Sequence, residues 1–215
     1  MPGKNAKPLC GKPLVQYTIE AAMEVFQCKE ICLTTDSEEI KSIGERLGLE
    51  VPFLRPSTLA GDQVGSQEVL FHAIEFYMRQ LNYSPDVVVL LQPTSPFRKE
   101  EHIREALTMY DAASMDMLVS VKETRANPYY VLFEEDSDGY LQKSKQGNFA
   151  RRQDCPKVWE YNGAIYIMDR VKFLAGGFSS LKRVKKYEMD EISSHDIDSP
   201  LDWMLAETMI RELSS

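Results

Sequence analysis

An α/β fold built on a doubly wound, mostly parallel sheet is predicted by three features of the sequence. The first is Asp86-Val87-Val88-Val89-Leu90-Leu91-Gln92-Pro93-Thr94-Ser95-Pro96-Phe97-Arg98, an unbroken apolar run stopped by a polar loop bracketed by prolines. Five consecutive aliphatic residues without alternation predict a central strand covered on both faces, and Pro93 and Pro96 end it because proline donates nothing to a ladder. The second is that strand-like and helix-like segments alternate four times between Leu14 and Val121, the rhythm of right-handed crossovers between parallel strands. The third is size: 215 residues at 43% hydrophobic content bury one sizeable core, so 1–215 reads as a single domain with 129–161 as an excursion.

In order, the Gly-, Pro- and Lys-rich opening from Met1 is a loop, and Leu14, Tyr17, Ala21, Ala22, Val25 and Phe26 recur at helical spacing. A short strand over 30–35 follows. Asp36-Ser37-Glu38-Glu39 then starts a helix with acids in its first turn, Ile40, Ile43 and Leu47 as its apolar stripe and Gly48 as its C-terminal cap. A brief strand covers 51–54, and a polar loop covers 57–65. Ser66 is expected to cap a helix that buries Val69, Leu70, Ala73, Ile74, Tyr77 and Leu81. After the central strand come a helix over 99–113 and a strand over 117–121. The pattern then changes to a hairpin-like excursion from Tyr129 through the acidic turn 134–139 to Leu141, and a basic, irregular stretch carries Arg151-Arg152. A strand over 163–168, a short helix, Gly176-Gly177 and a strand over 184–189 follow. Ser199-Pro200-Leu201-Asp202 is a strong helix start, with serine as cap, proline in the first turn and an acid at the third position.

No strand precedes the first helix, although the rhythm calls for one in the sheet interior. The expectation is that Met1 is an internal methionine of a longer natural protein, with about fifteen residues, a strand and a phosphate-binding loop, ahead of it.

Composition narrows the function. A formal net charge of -8 argues against a broad nucleic-acid surface, so an anionic ligand must meet locally gathered Lys and Arg or a metal ion. No apolar run approaches a membrane span and no signal peptide opens the chain, which predicts a cytoplasmic protein without a membrane partner. Cys10, Cys28, Cys32 and Cys155 lack zinc spacing and are expected to be reduced and mostly buried.

Four constellations carry chemistry. In open α/β sheets ligands bind beyond the carboxyl ends of strands, which places Gln92, Thr94, Ser95 and Arg98 at a site. Lys4, Lys7 and Lys12 stand among glycines just ahead of a helix, the chemistry of a phosphate loop and equally of an exposed basic terminus. Asp196 and Asp198, two apart in an extended segment, point to the same side and suit Mg2+ bound together with a nucleotide; capping and solvated charge is the alternative. Arg151-Arg152 offers a fork for a carboxylate or forms a solvated turn, Asn162 offers an amide at a strand entrance, and His195 is placed to orient the aspartates.

In sequence order, Gly3-Lys4-Asn5, Gly11-Lys12-Pro13-Leu14, Thr34-Thr35-Asp36, Arg55-Pro56, the 92–98 loop, Arg151-Arg152-Gln153-Asp154, Asn162-Gly163-Ala164-Ile165-Tyr166 and Asp196-Ile197-Asp198 closely resemble the acylneuraminate cytidylyltransferases, or CMP-sialic acid synthetases. The resemblance spans nearly the whole chain. It implies a Rossmann-like nucleotidyltransferase that joins CTP to an acidic nine-carbon 2-keto sugar with Mg2+ and releases pyrophosphate. It further implies Gly3, Lys4, Asn5, Lys12, Arg55 and Ser66 on the nucleotide, and Gln92, Thr94, Ser95, Arg152, Asn162 and Tyr166 on the sugar. Asp196 and Asp198 would hold the metal, with Lys4, Gln92 and Asp198 nearest the chemistry. Family members commonly exchange the excursion between subunits, which implies a homodimer with Phe178 reaching a partner's sugar pocket. Two departures stand out: the family's upstream Gly-Ser-Lys phosphate loop precedes Met1, which predicts weak CTP binding by this chain, and Tyr130 occupies the place of a carboxylate-assisting lysine. Pseudaminic, legionaminic and 3-deoxy-manno-octulosonic acids are alternative substrates, and a non-catalytic nucleotide-binding remnant is the reading from a different class.

Overall fold

A computed structural model describes residues 1–61 and 64–213; part of the expected 57–65 loop lies outside the described residues. The chain opens with a tight two-strand ladder, β1 (Pro8–Leu9) against β2 (Lys12–Pro13), and runs directly into α1 (Leu14–Met23). Leu14, Val15, Thr18, Ile19 and Ala22 are the buried face of α1. Helix α2 (Glu38–Arg46) starts where expected, with Glu38 and Glu39 in its first turn and Ser37 as its cap, Ser37 Oγ accepting from the Ile40 N–H at 3.3 Å. Gly48 at φ +95° ends it in a Schellman motif, with the Gly48 N–H on Glu45 O and the Leu49 N–H on Gly44 O, both at 3.0 Å.

The strands expected over 30–35 and 51–54 carry no sheet ladder. Cys28–Glu30 is a 3-10 turn, and the polar groups that follow are taken singly: Ile31 O accepts from the Tyr77 hydroxyl, and Thr35 O from the Arg55 N–H. Apolar β-formers make a strand only where a neighbouring backbone offers a ladder. In α3 (Ser66–Gln80) Gly65 takes the N-cap position, so Ser66 is the first helical residue and caps nothing.

Next come β3 (Val87–Leu90), α4 (Glu100–Met109), β4 (Met117–Glu123), and the excursion hairpin β5 (Phe133–Glu135) with β6 (Leu141–Lys143). The chain finishes with β7 (Trp159–Asp169), α5 (Arg170–Gly176), β8 (Val184–Glu188) and α6 (Pro200–Leu213). Helix α6 starts with a reciprocal cap: Asp202 Oδ2 accepts from the Ser199 N–H at 2.7 Å while Ser199 Oγ accepts from the Asp202 N–H at 3.3 Å.

The central sheet runs β3-β7-β4-β8. Strands β3, β4 and β8 point one way, and β7 is wedged antiparallel between β3 and β4. Strand β7 starts before the expected 163 because Trp159, Glu160 and Tyr161 pair with Glu123, Lys122 and Val121 of β4. The expectation of a central β3 is corrected, since β3 has one laddered neighbour among the described residues; the expected cover on both faces is present, Val87 and Val89 packing against one core and Val88 and Leu90 against the other, although all four residues are only half-buried. Edge and interior strands of an α/β sheet share one aliphatic composition, so the run itself does not distinguish them.

Alternate residues of the strands build two cores. Leu118, Ile165, Ile167 and Tyr187 meet Ile103 and Ala106 of α4 and the α1 end on one face, while Met117, Val119, Val121 and Met168 meet Leu70, Ile74 and Phe173 on the other. Helices therefore cover both faces, the doubly wound arrangement. Asp116 pins the β4–β8 edge, accepting from Lys172 Nζ at 2.8 Å, the Arg183 side chain and the Lys182 and Arg183 N–H groups, and these donors hold its carboxyl well below the usual range. The four cysteines are free, as expected, but none is fully buried; Cys10 is exposed in the turn between β1 and β2. That turn demands φ +48° at Cys10 and places its side chain outward.

Candidate functional site

Three segments far apart in sequence meet beyond the carboxyl end of β3. The opening loop is folded on itself by Ala6 N–H to Gly3 O and Lys7 N–H to Lys4 O, and is anchored to α1 by Val15 N–H to Asn5 O at 2.9 Å. From it Lys4 Nζ donates to Asp198 Oδ1 at 2.8 Å and to Ile197 O at 2.7 Å. The Ile197 N–H in turn donates to Thr94 O at 2.9 Å, and His195 Nε2 lies 2.9 Å from Asp202 O. Lys4, Thr94, Asp196 and Asp198 are thus brought together beyond β3, and His195 steadies the segment between the aspartates and α6.

Asp196 is half-buried and, among the described residues, its Oδ1 has no hydrogen-bond partner. Burial above all, with the Asp198 charge adding to it, raises its carboxyl above the ordinary range. The Asp198 side chain is 76% exposed. An orphaned buried carboxylate oxygen beside a second carboxylate, with only hard oxygen donors, fits a divalent cation that takes its other ligands from water and phosphate. Among the described residues no group of three or more His, Cys, Asp and Glu converges, so such an ion would depend on the nucleotide to complete its shell.

A raised folded pKa means that Asp196 favours the fold fully only below its unfolded value, and loses that contribution as pH rises through the folded value. Asp196→Asn is therefore expected to raise the Tm of the ligand-free protein at neutral pH by no more than about 2 °C, solvent screening being substantial. The gap should close as pH falls below the usual aspartate range, near about 4. Calorimetry between these limits checks it; a lower Tm for the variant at neutral pH contradicts it.

The remaining residues divide. Gln92 is half-buried; its backbone oxygen accepts from Thr18 Oγ1 at 3.3 Å and from Arg98 at 3.0 Å, and its side chain lies against Gly163, where a Cβ would come within 3.2 Å of Oε1. Gly163 at φ +75° is required there twice over, for its backbone and for that approach. Thr94 and Ser95 are buried, and Ser95 Oγ has no partner. Arg98, expected beside the ligand, is instead 2% exposed and spends its guanidinium on Gln92 O, Ala164 O and Thr18 Oγ1.

Lys12, expected on the nucleotide, is paired with Glu20 at 2.5 Å and lies over the Tyr17 ring, while Lys7 lies over Trp203; both are turned to neighbouring side chains. Arg55 is held by Asp36 and keeps a buried Nε without a partner. Ser66 and Gly3 expose loop and helix N-terminal backbone, and Gly3 takes φ +67°. Of the basic pair, Arg151 is engaged bidentately by Asp154 at 2.9 and 2.8 Å, whereas Arg152 is exposed and unpaired among the described residues. Tyr166 lies between Tyr161, edge-on to it, and Phe178, tilted against it, each ring centre 6.3 Å away; Phe178 also packs on Phe173 of its own chain.

Asn162, expected at the sugar, is 3% exposed. Both ends of its amide are used, by Ser120 and Ala164 on the oxygen and by Ser194 and Met189 on the nitrogen. Ser120, Ser194 and Thr18 were not singled out from the sequence, where isolated hydroxyl residues carry no signal.

The cytidylyltransferase family profile matches residues 1–200. The chain is 35% identical over 215 residues to a CMP-N,N'-diacetyllegionaminic acid synthase of Legionella pneumophila, covering 98% of this chain and 90% of that protein. It is 36% identical over 209 residues to an N-acylneuraminate cytidylyltransferase of Escherichia coli, covering 96% of this chain and 48% of that protein. A solved CMP:2-keto-3-deoxy-manno-octonic acid synthetase complexed with CTP shares the fold at TM-score 0.68 and 16% identity, covering 99% of this chain and 93% of that one. With its Rossmann-like α/β architecture and a profile match over most of its length, the chain belongs to the cytidylyltransferase family, which are nucleotidyltransferase enzymes.

Proposed function

We propose that the protein transfers CMP from CTP to the anomeric hydroxyl of an acylneuraminate-type 2-keto sugar acid and releases pyrophosphate. The observation that supports it most is the meeting of Lys4, Asp196 and Asp198 at the carboxyl end of β3, with Gln92 and Tyr166 on the same sheet end. The hydroxyl attacks the α-phosphorus in line, its proton passes to solvent, and the bond to the β-phosphate oxygen breaks. Little covalent work falls to the protein in such a transfer; positioning and charge neutralisation supply the rate.

Lys4 would neutralise phosphate charge, leaving Asp198 for the cation, while Gly3 and Asn5 would present loop backbone and amide to the nucleotide. Arg55 and Ser66 would stand on the cytidine side. Arg152, unpaired among the described residues, would take the sugar carboxylate bidentately. Mg2+ held by Asp196 and Asp198 would offset the charge of CTP and of the leaving pyrophosphate. The reading places the enzyme in the cytoplasm, beside its CTP.

A legionaminic-type substrate is the second reading. Two relatives of similar length carry the name CMP-N,N'-diacetyllegionaminic acid synthase, the second from Campylobacter jejuni at 30% identity with 88% of its length covered, and Tyr130, where some family members have a carboxylate-assisting lysine, leaves the sugar open. Pyrophosphate release with CTP against N-acetylneuraminic, legionaminic, pseudaminic and 3-deoxy-manno-octulosonic acids decides between them. Absence of release with every acid overturns the assignment.

The excursion is proposed to join two copies. Tyr140 and Leu141 are 69% and 67% exposed and Phe133 is 47% exposed, apolar area that a hairpin gains by covering. Sedimentation at micromolar concentration should show a dimer, and Tyr140→Ser with Leu141→Ser should shift it toward monomer. A wild-type monomer contradicts the proposal.

A further inference from the structure

Where β7 faces β4, the register slips between Val119 and Val121, and Asn162 and Gly163 occupy the irregularity. Bulges of this kind re-aim side chains beside functional sites. Here the two residues serve opposite directions. Gly163 makes room for Gln92, while Asn162 turns inward to a sealed polar chain. Ser120 Oγ, fully buried, donates to Asn162 Oδ1 at 2.6 Å and accepts from the Ile165 N–H at 2.7 Å. Asn162 Nδ2 then donates to Ser194 Oγ at 2.8 Å, and Ser194 is 1% exposed. Two acceptor sites and two N–H groups are all a primary amide has, and all four are spent within the protein. Nothing remains for a sugar hydroxyl.

Ser194 stands two residues before Asp196. The segment is also held by the Ser194 N–H on Asp190 O and the His195 N–H on Ile192 O, both at 3.0 Å, by His195 Nε2 beside Asp202 O, by the Ile197 N–H on Thr94 O and by Lys4 on Ile197 O. Among the described residues, Ser194 is the one in this loop whose side chain is tied to the sheet's own irregularity. We propose that Asn162 is a positioning residue, which acts through Ser194 to fix the Asp196–Asp198 segment in the geometry that a divalent cation and CTP require. The proposal rests on the reading of that segment as the cation site. Outer groups that orient ligating carboxylates typically govern metal affinity by about 10- to 100-fold.

The test is direct Mn2+ binding to the protein with CTP, followed by electron paramagnetic resonance, together with the Mg2+ dependence of the rate and the KM for the sugar acid. Asn162→Ala should weaken Mn2+ by about tenfold and raise the half-saturating Mg2+ in step, with the sugar KM changed less than about twofold. Ser194→Ala, which leaves β7 untouched, should do the same, and the double variant should be no worse than Asn162→Ala, the non-additivity of one shared path. Ile167→Val, a buried substitution away from the chain of hydrogen bonds, serves as the control for stability loss and should leave Mn2+ affinity unchanged. A sugar KM raised tenfold with Mn2+ affinity intact overturns the proposal in favour of direct sugar contact. Wild-type Mn2+ affinity in Ser194→Ala overturns it even where Asn162→Ala does not fold. Wild-type Mn2+ affinity in Asp198→Asn has a separate meaning: the cation site itself has been misplaced.

Discussion

Asp198→Asn is expected to cut turnover by about three orders of magnitude while the protein stays folded, the rate reporting about 4 kcal/mol of lost transition-state stabilisation. The substitution keeps the volume and removes one charge. Because the Asp198 side chain is 76% exposed, its loss creates no cavity and orphans no buried group. Lys4 keeps Ile197 O as an acceptor at 2.7 Å, so the opening loop is not released. Under the proposed chemistry the missing charge matters most as pyrophosphate leaves, and kcat should fall more than the KM for CTP rises. Steady-state pyrophosphate release, with a melting curve beside it, checks both halves. Turnover within tenfold of wild type removes Asp198 from the reaction.

Arg98→Met should lower stability by about 3 kcal/mol and drop the Tm by roughly 6–12 °C. Arg98 is 2% exposed and meets no carboxylate; burial pushes its pKa down, and three acceptors hold it in place of a counter-charge. Methionine fills similar space but leaves Gln92 O and Ala164 O buried with fewer donors, at about 1–3 kcal/mol per unsatisfied group. Relief of a buried charge offsets part of that. Since the same guanidinium ties the 92–98 loop to the β7 irregularity and to α1, activity should fall with it. Arg98→Lys, a point charge without the planar fork, should recover only part of the stability. Calorimetry decides: a Tm equal to or above wild type in Arg98→Met would show that the buried charge costs more than its hydrogen bonds contribute.

The two predictions concern residues that looked alike in the sequence. Arg98 and Asp198 are both charged groups in loops after an apolar strand or before a helix, and both read as ligand-facing. One is a strut and the other an open carboxylate. Lys4 and Lys12 repeat the lesson: both sit among glycines ahead of α1, yet Lys4 reaches the aspartates and Lys12 turns back one helical face to Glu20. No local rule separates them, because the difference is which partner lies within reach once Lys4 and Asp198, 194 residues apart, have been folded together.

What the sequence determined by itself was the class of fold, the start of α2 at Ser37, its end at Gly48, the start of α6 at Ser199, and the ordered set of motifs that marks a cytidylyltransferase. Each is settled by groups within a few residues of one another: a side-chain oxygen on an N–H in the next turn, a glycine at positive φ, an apolar stripe at helical spacing. Tertiary structure alone decided that β7 runs antiparallel between β3 and β4, that among the described residues β3 lies at an edge and 31–35 carries no ladder, and that Asn162 faces Ser120 and Ser194 instead of a ligand. Those outcomes depend on which backbone closes against which across long stretches of chain. The entropy of such closures hardly varies with the identity of the residues at the ends, so the choice is made by summed packing and hydrogen bonding over the whole sheet.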